Sequence, residues 1–204
     1  MRALLIVTAL MSLASQVSAQ LVIEITKGVD NPTAIAVVPF GWQAGGVASE
    51  DVSAIVATDL QRTGQFLPVE REDMLSTPQD KSEVYFRDWR ALNVDYLLVG
   101  KLVSTAEGIQ ARYALFDVYT QALVLEDRET GRVDGLRDIA HAVSDRIYEK
   151  LTGIRGAFST KLLYVSAVER GNAQYTYRLL TADVDGARER IVFESKDPDP
   201  SLGA

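Results

Sequence analysis

Cysteine is absent from this chain, and histidine occurs once, as His141. The first absence excludes disulfides, cysteine nucleophiles and lipid attachment through an N-terminal cysteine. With a single histidine and no cysteine, the chain lacks the clustered Cys and His ligands from which a zinc site is typically built. No serine lies in the Gly-x-Ser-x-Gly turn of the α/β-hydrolases either. We therefore expect a non-enzymatic protein that holds no cofactor and no metal.

Long hydrophobic runs are also lacking. The longest, Ala3–Ala14, has about twelve residues, whereas a membrane-spanning helix needs about 20. It follows the positively charged Arg2 and precedes a Val-Ser-Ala tripeptide, a pattern typical of a secretory signal and its peptidase site. We expect residues 1–19 to be a signal peptide cleaved between Ala19 and Gln20, and the mature protein to be periplasmic.

Positive charge is in the minority. The sequence has 21 basic and 28 acidic residues, and removal of Arg2 with the signal peptide leaves 20 basic ones and a net charge of −8. This balance disfavours nucleic acid, whose affinity depends on neutralising phosphates, and it disfavours docking on anionic lipid. Apolar residues make up 47% and charged residues 24%, which is ordinary for a globular protein.

Apolar spacing predicts an α+β domain over residues 20–152, a mixed β-sheet packed by two main helices. Period-two alternation indicates a strand at 21–26, and a run of small and β-branched residues indicates a buried strand at 34–40. The two main helices, at 52–63 and 134–151, have apolar stripes of 3.6-residue spacing. Between them we predict a strand at 66–70, a polar loop at 71–82, a short helix at 85–92, and a meander at 95–104, 110–119 and 122–128.

The composition changes after the long helix. Residues 153–160 are predicted to be a connector, and three short antiparallel strands follow at 161–168, 175–183 and 189–194. This arrangement resembles a propeller blade that lacks one strand. Residues 161–204 are therefore predicted to be an incomplete blade. Because such units bury their faces only against neighbours, we expect residues 161–195 to expose apolar faces and to aggregate readily.

The loop between the second strand and the first main helix is rich in glycine. Gly41–Ala48 precedes a helix N-terminus, but it has neither the Lys nor the Ser/Thr of a P-loop, so we interpret it as a surface loop. Ser49 is the predicted N-cap, with Glu50 and Asp51 placed favourably at the positive end of the helix.

Three further groups of polar residues have simple structural interpretations. We expect His141 on a polar face or at the boundary of the long helix. Asp183-Val184-Asp185-Gly186 resembles a fragment of a calcium loop without its downstream Glu, and a hairpin turn explains it more simply. Glu70–Asp73 is interpreted as a solvated charge cluster.

Short segments along the chain form an ordered set. The most specific is Glu149–Phe158. The others are Gly28–Asp30, Ala36–Phe40 with Trp42, Asp51, Ile55–Ala57 with Asp59-Leu60, Gly64–Phe66, Asp95–Gly100, and Thr160 with Tyr164-Val165. Together they resemble the TolB family of the Tol–Pal envelope system, over the whole chain and in the right order.

The resemblance implies an N-terminal domain with a mixed sheet and two helices, followed by a six-bladed propeller that docks Pal, the peptidoglycan-associated lipoprotein. It also implies a non-enzymatic role in outer-membrane integrity and in constriction at cell division. The mature N-terminus of the family engages the inner-membrane protein TolA. That role is carried over to Gln20, Leu21, Val22, Ile23, Glu24 and Ile25.

This sequence departs from the family pattern at its end. After Pro200 the family continues with blade repeats that are not present here, so we expect a truncated form without the Pal-binding surface. A second hypothesis stays open, that of an envelope assembly or secretion accessory protein with the same N-terminal fold. Such proteins typically carry a lipobox cysteine, and this chain has none.

Overall fold

The computed structural model describes residues 31–171 and 174–195. It confirms the α+β class: a mixed six-stranded sheet packed by helices is followed by a three-stranded antiparallel sheet. In the described part of the chain, no helix combines the length and apolarity needed to cross a membrane.

The first sheet has the strand order β3-β1-β4-β5-β6, with β2 paired to β4 beside this path. Its strands are β1 (Thr33–Val37), β2 (Gly41–Gln43), β3 (Phe66–Pro68), β4 (Tyr96–Thr105), β5 (Gly108–Asp117) and β6 (Leu123–Gly131). The short strand β1 lies between β3 and β4 and is parallel to both. The long strands β4, β5 and β6 form the predicted antiparallel meander.

The two main helices cover one face of this sheet. They are α1 (Val52–Arg62) and α3 (Leu136–Thr152). Their stripes, among them Val56, Leu60 and Ile147, pack on the sheet with no solvent exposure. Full burial of each such side chain contributes about 1.5–3 kcal/mol. Gly153, with a φ of 74°, ends the long helix as predicted.

The opposite face of the sheet is covered only in part. The short helix α2 (Phe86–Ala91) places Trp89, which is fully buried, over the apolar residues at the start of β4. The segment predicted as a loop at 71–82 contains one-turn 3₁₀ helices at Arg71–Asp73 and Lys81–Glu83. Beyond this cover, towards β6, no helix of the described residues packs on this face of the sheet, which we call the open face.

The predicted loop Gly41–Ala48 is wrong at its start, because Gly41–Gln43 forms β2 and pairs in parallel with residues 101–103 of β4. The reason is the difference in length between the two neighbours. β4 has ten residues and β1 only five, so the far half of β4 has a free edge that the chain fills after β1. Three residues are too few to produce a periodic pattern.

The predicted N-cap is also wrong. Asp51, and not Ser49, caps α1: its carboxylate accepts a hydrogen bond of 3.0 Å from the N–H of Ala54. The same carboxylate lies 2.6 Å from the guanidinium of Arg71, which also donates to Ser53. Arg71 therefore ties the 3₁₀ turn to the start of α1, and the cluster around it is not simply solvated.

The second sheet contains β7 (Lys161–Gly171), β8 (Gln174–Asp183) and β9 (Arg190–Glu194) in sequential antiparallel order. Both registers contain an irregularity, one between Glu169 and Gly171 and the other between Leu179 and Leu180. The connector and the turn between β8 and β9 join this sheet to α3.

Candidate interaction surfaces

The predicted partner-binding segment Gln20–Ile25 and the predicted cleavage site between Ala19 and Gln20 lie outside the described residues. Both therefore stay predictions. Among the other features of the described residues, two bear on the function proposed below: a buried polar junction between the two sheets, and an exposed apolar sheet.

The junction begins with a buried pair between the two main helices. Asp59 of α1 and His141 of α3 are 1% and 2% exposed, and Asp59 Oδ2 lies 2.7 Å from His141 Nδ1. Ser144, one turn further along α3, donates to the same carboxylate oxygen at 2.8 Å. The expectation that His141 lies on a polar face or at a boundary is wrong. Its partner is 82 residues away in sequence, so the pattern of the helix alone could not reveal it.

The turn between β8 and β9 docks on this pair. Asp185 Oδ2 lies 3.6 Å from His141 Nε2, and the same carboxylate pairs with Arg137 of α3. Arg137 also donates to Glu50, just before α1, at 2.8 Å. One guanidinium thus holds together the start of α1, the first turn of α3 and the second sheet.

A second group of ion pairs lies beside the first. Asp183, at the end of β8, is 2% exposed and pairs with Lys161 of β7 and with Arg188. Arg188 reaches α3, where it donates to Asp138 at 3.1 Å. The residues that sequence analysis assigned to a hairpin turn do form the turn, and they also fix the second sheet on the long helix.

The contacts of the junction lower the pKa of two of its carboxylates. Burial would raise the pKa of Asp183, but hydrogen bonds from Arg188 and Lys161 outweigh it and lower that pKa. Burial acts in the same direction on Asp185 and is outweighed by the Ala187 N–H and by the positive charge of Arg137. Ligand atoms of His141, Asp183 and Asp185 lie within 4.8 Å of one another. Because both carboxylates already pair with cations, the group is a structural ion-pair network.

The connector is fixed to α3 as well. The carboxylate of Asp145 accepts hydrogen bonds from the N–H groups of Phe158 and Ser159, at 2.7 and 3.1 Å. The ring of Phe158 packs edge-on against Tyr148, with centroids 5.7 Å apart. Gly156 lies so close to Asp145 that a Cβ there would be 2.5 Å from its Cα. The predicted connector is therefore anchored in its second half.

The second sheet exposes large apolar side chains on both faces. Leu163, Val165 and Phe193, on one face by their register, are 67%, 63% and 64% exposed. On the other face, Leu162 and Ile191 are 42% and 52% exposed. A continuous patch of this kind marks a surface that binds something else or promotes aggregation. The sequence pattern led to the same expectation.

Comparison with known proteins gives a consistent result. The family model described as the TolB amino-terminal domain matches residues 21–124. The Tol-Pal system protein TolB of Pseudomonas aeruginosa is 48% identical over 198 residues, covering 97% of this chain and 45% of that protein. The corresponding protein of Pseudomonas fluorescens is 47% identical over 175 residues, covering 85% of this chain and 40% of that protein.

A solved structure agrees with this. The crystal structure of TolB from Acinetobacter baumannii has a TM-score of 0.69 and 32% identity, covering 86% of this chain and 42% of that one. The chain thus spans less than half the length of these relatives.

Proposed function

Because this chain belongs to the TolB family, we propose that it is a periplasmic, non-enzymatic interaction component of the Tol–Pal envelope system. In this role it acts in outer-membrane integrity and in constriction at cell division. Its mature N-terminal strand, Gln20–Ile25, binds TolA. Export depends on the signal peptide, whose cleavage after Ala19 creates the free end of that strand.

The observation that carries the proposal is the position of the family match, which begins at Leu21 and ends at Val124, near the start of β6. The match therefore includes residues 21–25 of the proposed TolA-binding segment, together with strands β1–β5 that follow it. Period-two alternation over residues 21–26 is typical of a strand that can add to the sheet edge of a partner. This supports a role in binding for the segment.

The chemistry of the junction also favours a binding role over catalysis. His141 lies between two carboxylates at 2% exposure, out of reach of a substrate in solution. The carboxylates of Asp183 and Asp185 are paired with Lys and Arg side chains. These groups hold two parts of the protein together and have no free charge for acid–base chemistry.

The exposed second sheet supports a further part of the proposal. We take β7–β9 to be part of a propeller blade, whose apolar faces are buried when neighbouring blades pack on them. In the family the propeller docks Pal. No Pal contact is assigned to a residue of this chain.

Binding to TolA is tested by titrating its C-terminal domain with the exported protein and with a variant lacking residues 20–26. We expect saturable binding for the first and none for the second. Binding by a particular face of the strand is tested with two triple variants.

Replacing Leu21, Ile23 and Ile25 by Ser removes the predicted apolar face of the strand. Replacing Val22, Glu24 and Thr26 by Ala alters the other face and serves as the matched control.

The first triple variant should lose at least about tenfold more affinity than the control, about 1.4 kcal/mol. Binding that survives deletion of residues 20–26, or no binding by the parent protein, would overturn the assignment. Mass spectrometry of the exported protein tests the cleavage site separately, since the mature chain should begin at Gln20.

A further inference from the structure

A row of three cations crosses the open face of the first sheet. Lys101 of β4 lies directly opposite Arg112 of β5, which lies directly opposite Arg128 of β6. Side chains paired in this way point to the same face, with Cβ atoms about 4.5–5.5 Å apart. Like charges at such positions repel each other and destabilise the sheet. The arrangement therefore costs stability unless an anion lies among them.

Among the residues that the structure describes, only the first cation of the row has an anionic partner. Lys101 Nζ lies 2.7 and 2.9 Å from the two carboxylate oxygens of Asp80. Arg112 donates to the neutral amide of Gln110 at 2.8 Å. Over residues 31–171 and 174–195, no carboxylate lies within ion-pair distance of either Arg112 or Arg128. This pair of guanidinium groups stands out in a chain whose net charge is −7.

The row lines a groove of about 700 Å³, with Val99 and Ala114 in its floor and residues 79–81 in its wall. The volume is in the range of about 300–1,000 Å³ that is typical of ligand sites. The wall is fixed at both sides of the groove. Asp80 pairs with β4 as described, and Lys81 Nζ lies 2.7 and 2.8 Å from the carboxylate oxygens of Glu126 on β6.

The neighbour of these two residues is fixed as well. Gln79 packs closely on β2: a Cβ at Gly41 would lie 2.0 Å from Gln79 Oε1, so the absence of a side chain at residue 41 leaves room for this contact. A groove formed in advance loses little conformational entropy when a ligand enters. The site is therefore ready to bind without rearrangement of the sheet.

The mixed lining selects the kind of ligand. Guanidinium pairs bind carboxylates and phosphates with paired N–H donors. A multiply charged phosphate would be repelled by Asp80 and Glu126 at the same groove, whereas a peptide can present a carboxylate to the arginines and N–H donors to those acids. Val99 and Ala114 are 2% and 4% exposed, so recognition of the peptide depends mainly on the charged side chains of the groove.

We propose that this groove is a second interaction site of the protein, and that it binds an acidic segment of a partner protein whose carboxylates pair with Arg112 and Arg128. The site is separate from the N-terminal segment and does not depend on it. Filling the groove would neutralise the repulsion within the row, so binding should also raise the stability of the first domain.

The probe is an acetylated and amidated hexapeptide of alternating Val and Glu, titrated into the full chain at low salt and followed by NMR. A peptide with Gln in place of Glu is its control. We expect saturable shifts on β4–β6 with the Glu peptide, weakening as salt is added. We expect at least tenfold weaker binding of the Gln peptide. Inorganic phosphate should bind more weakly than the Glu peptide.

The double variant Arg112→Gln/Arg128→Gln should bind the Glu peptide at least tenfold more weakly than the parent. The matched control is Arg132→Gln/Arg155→Gln, which removes the same charge from exposed positions outside the groove and should bind like the parent. Unchanged thermal melting of the groove variant excludes unfolding as the cause. Equal loss in both variants, shifts confined to other surfaces, tighter binding of phosphate, or no saturable binding would each overturn the proposal.

Discussion

Asp59 and His141 form a contact between the two main helices, with 2.7 Å between Asp59 Oδ2 and His141 Nδ1 at 1% and 2% exposure. Water has no access to replace either partner. Removing one of them therefore leaves the other buried without its hydrogen bond, at a point where the second sheet also docks. Stability should depend strongly on this pair.

The first prediction concerns Asp59→Ala. We expect it to lower the free energy of unfolding by about 2–3 kcal/mol, because it leaves His141 buried without its hydrogen-bond partner, a loss that typically costs about 1–3 kcal/mol. Urea denaturation measures this as a shift of the midpoint at constant slope. Thr58→Ala, at the neighbouring exposed position, is the control and should stay within about 0.5 kcal/mol of the parent. Equal effects of the two substitutions would contradict a special role of the pair.

The second prediction concerns the dependence of stability on pH. Burial would raise the pKa of Asp51, but hydrogen bonds from Arg71, Ser53 and the Ala54 N–H outweigh it and lower the pKa from 3.8 to about 2. A depressed pKa in the folded state stabilises the fold above the unfolded value, and this contribution is lost as the pH falls from about 4 to about 2. Asp51→Asn retains the cap and removes the charge.

We expect Asp51→Asn to be less stable than the parent at pH 7 by about 0.5–1 kcal/mol, an amount reduced by solvent screening because the side chain is 47% exposed. The difference should vanish near pH 2 in urea titrations at a series of pH values. Asp134→Asn is the control, since its pair with Arg132 is largely exposed to solvent. If the stability difference between Asp51→Asn and the parent grew as the pH was lowered, the pKa of Asp51 would have to be raised, and not lowered, in the folded state.

The third prediction concerns proteolysis in the connector. Its first half, with Arg155, is exposed, whereas its second half is held by Asp145. Trypsin should cut after Arg155 and leave the first sheet with its helices, residues 33–152, intact. Asp145→Ala should accelerate this cut several-fold, which mass spectrometry of timed digests would detect. Glu149→Ala, on an exposed part of the same helix, should leave the rate unchanged. Faster cleavage elsewhere in the chain would argue against this account.

The fourth prediction concerns self-association. Val165 and Phe193 belong to the exposed apolar face of the second sheet, so Val165→Lys/Phe193→Lys should reduce concentration-dependent association in light-scattering measurements. The control is Leu75→Lys/Val133→Lys, which alters side chains of 62% and 63% exposure outside that sheet. If the control variant reduced association equally, the effect would come from the change in net charge and not from the apolar face of the second sheet.

The sequence contained the information for most of the fold, because amphipathic spacing reports which residues face a core. Val56, Leu60 and Ile147 follow that spacing and are buried. β2 was not predicted, because it forms by pairing with the part of β4 that extends beyond β1. That unpaired edge exists only once the sheet has assembled. Likewise, the choice of Asp51 as the cap depends on Arg71, which approaches from 20 residues away.

The junction was less predictable for the same reason. Asp185 was expected in a turn and lies in one, but its contact with Arg137 joins positions 48 residues apart. The sequence of a turn predicts its backbone conformation, but it does not predict which other part of the protein the turn packs against. The cationic row was hidden similarly, since Lys101, Arg112 and Arg128 become neighbours only through the strand registers.

The position of β1 between two parallel neighbours has a mechanical consequence. Thr33 begins a strand that is bonded in parallel to β3 on one side and to β4 on the other. A force that pulls the chain before Thr33 along the direction of β1 shears the hydrogen bonds to both neighbouring strands. Those hydrogen bonds must then break together. A pull across the sheet would break them one at a time, at lower force. The domain is therefore built to withstand traction at the end that leads to the proposed TolA-binding segment.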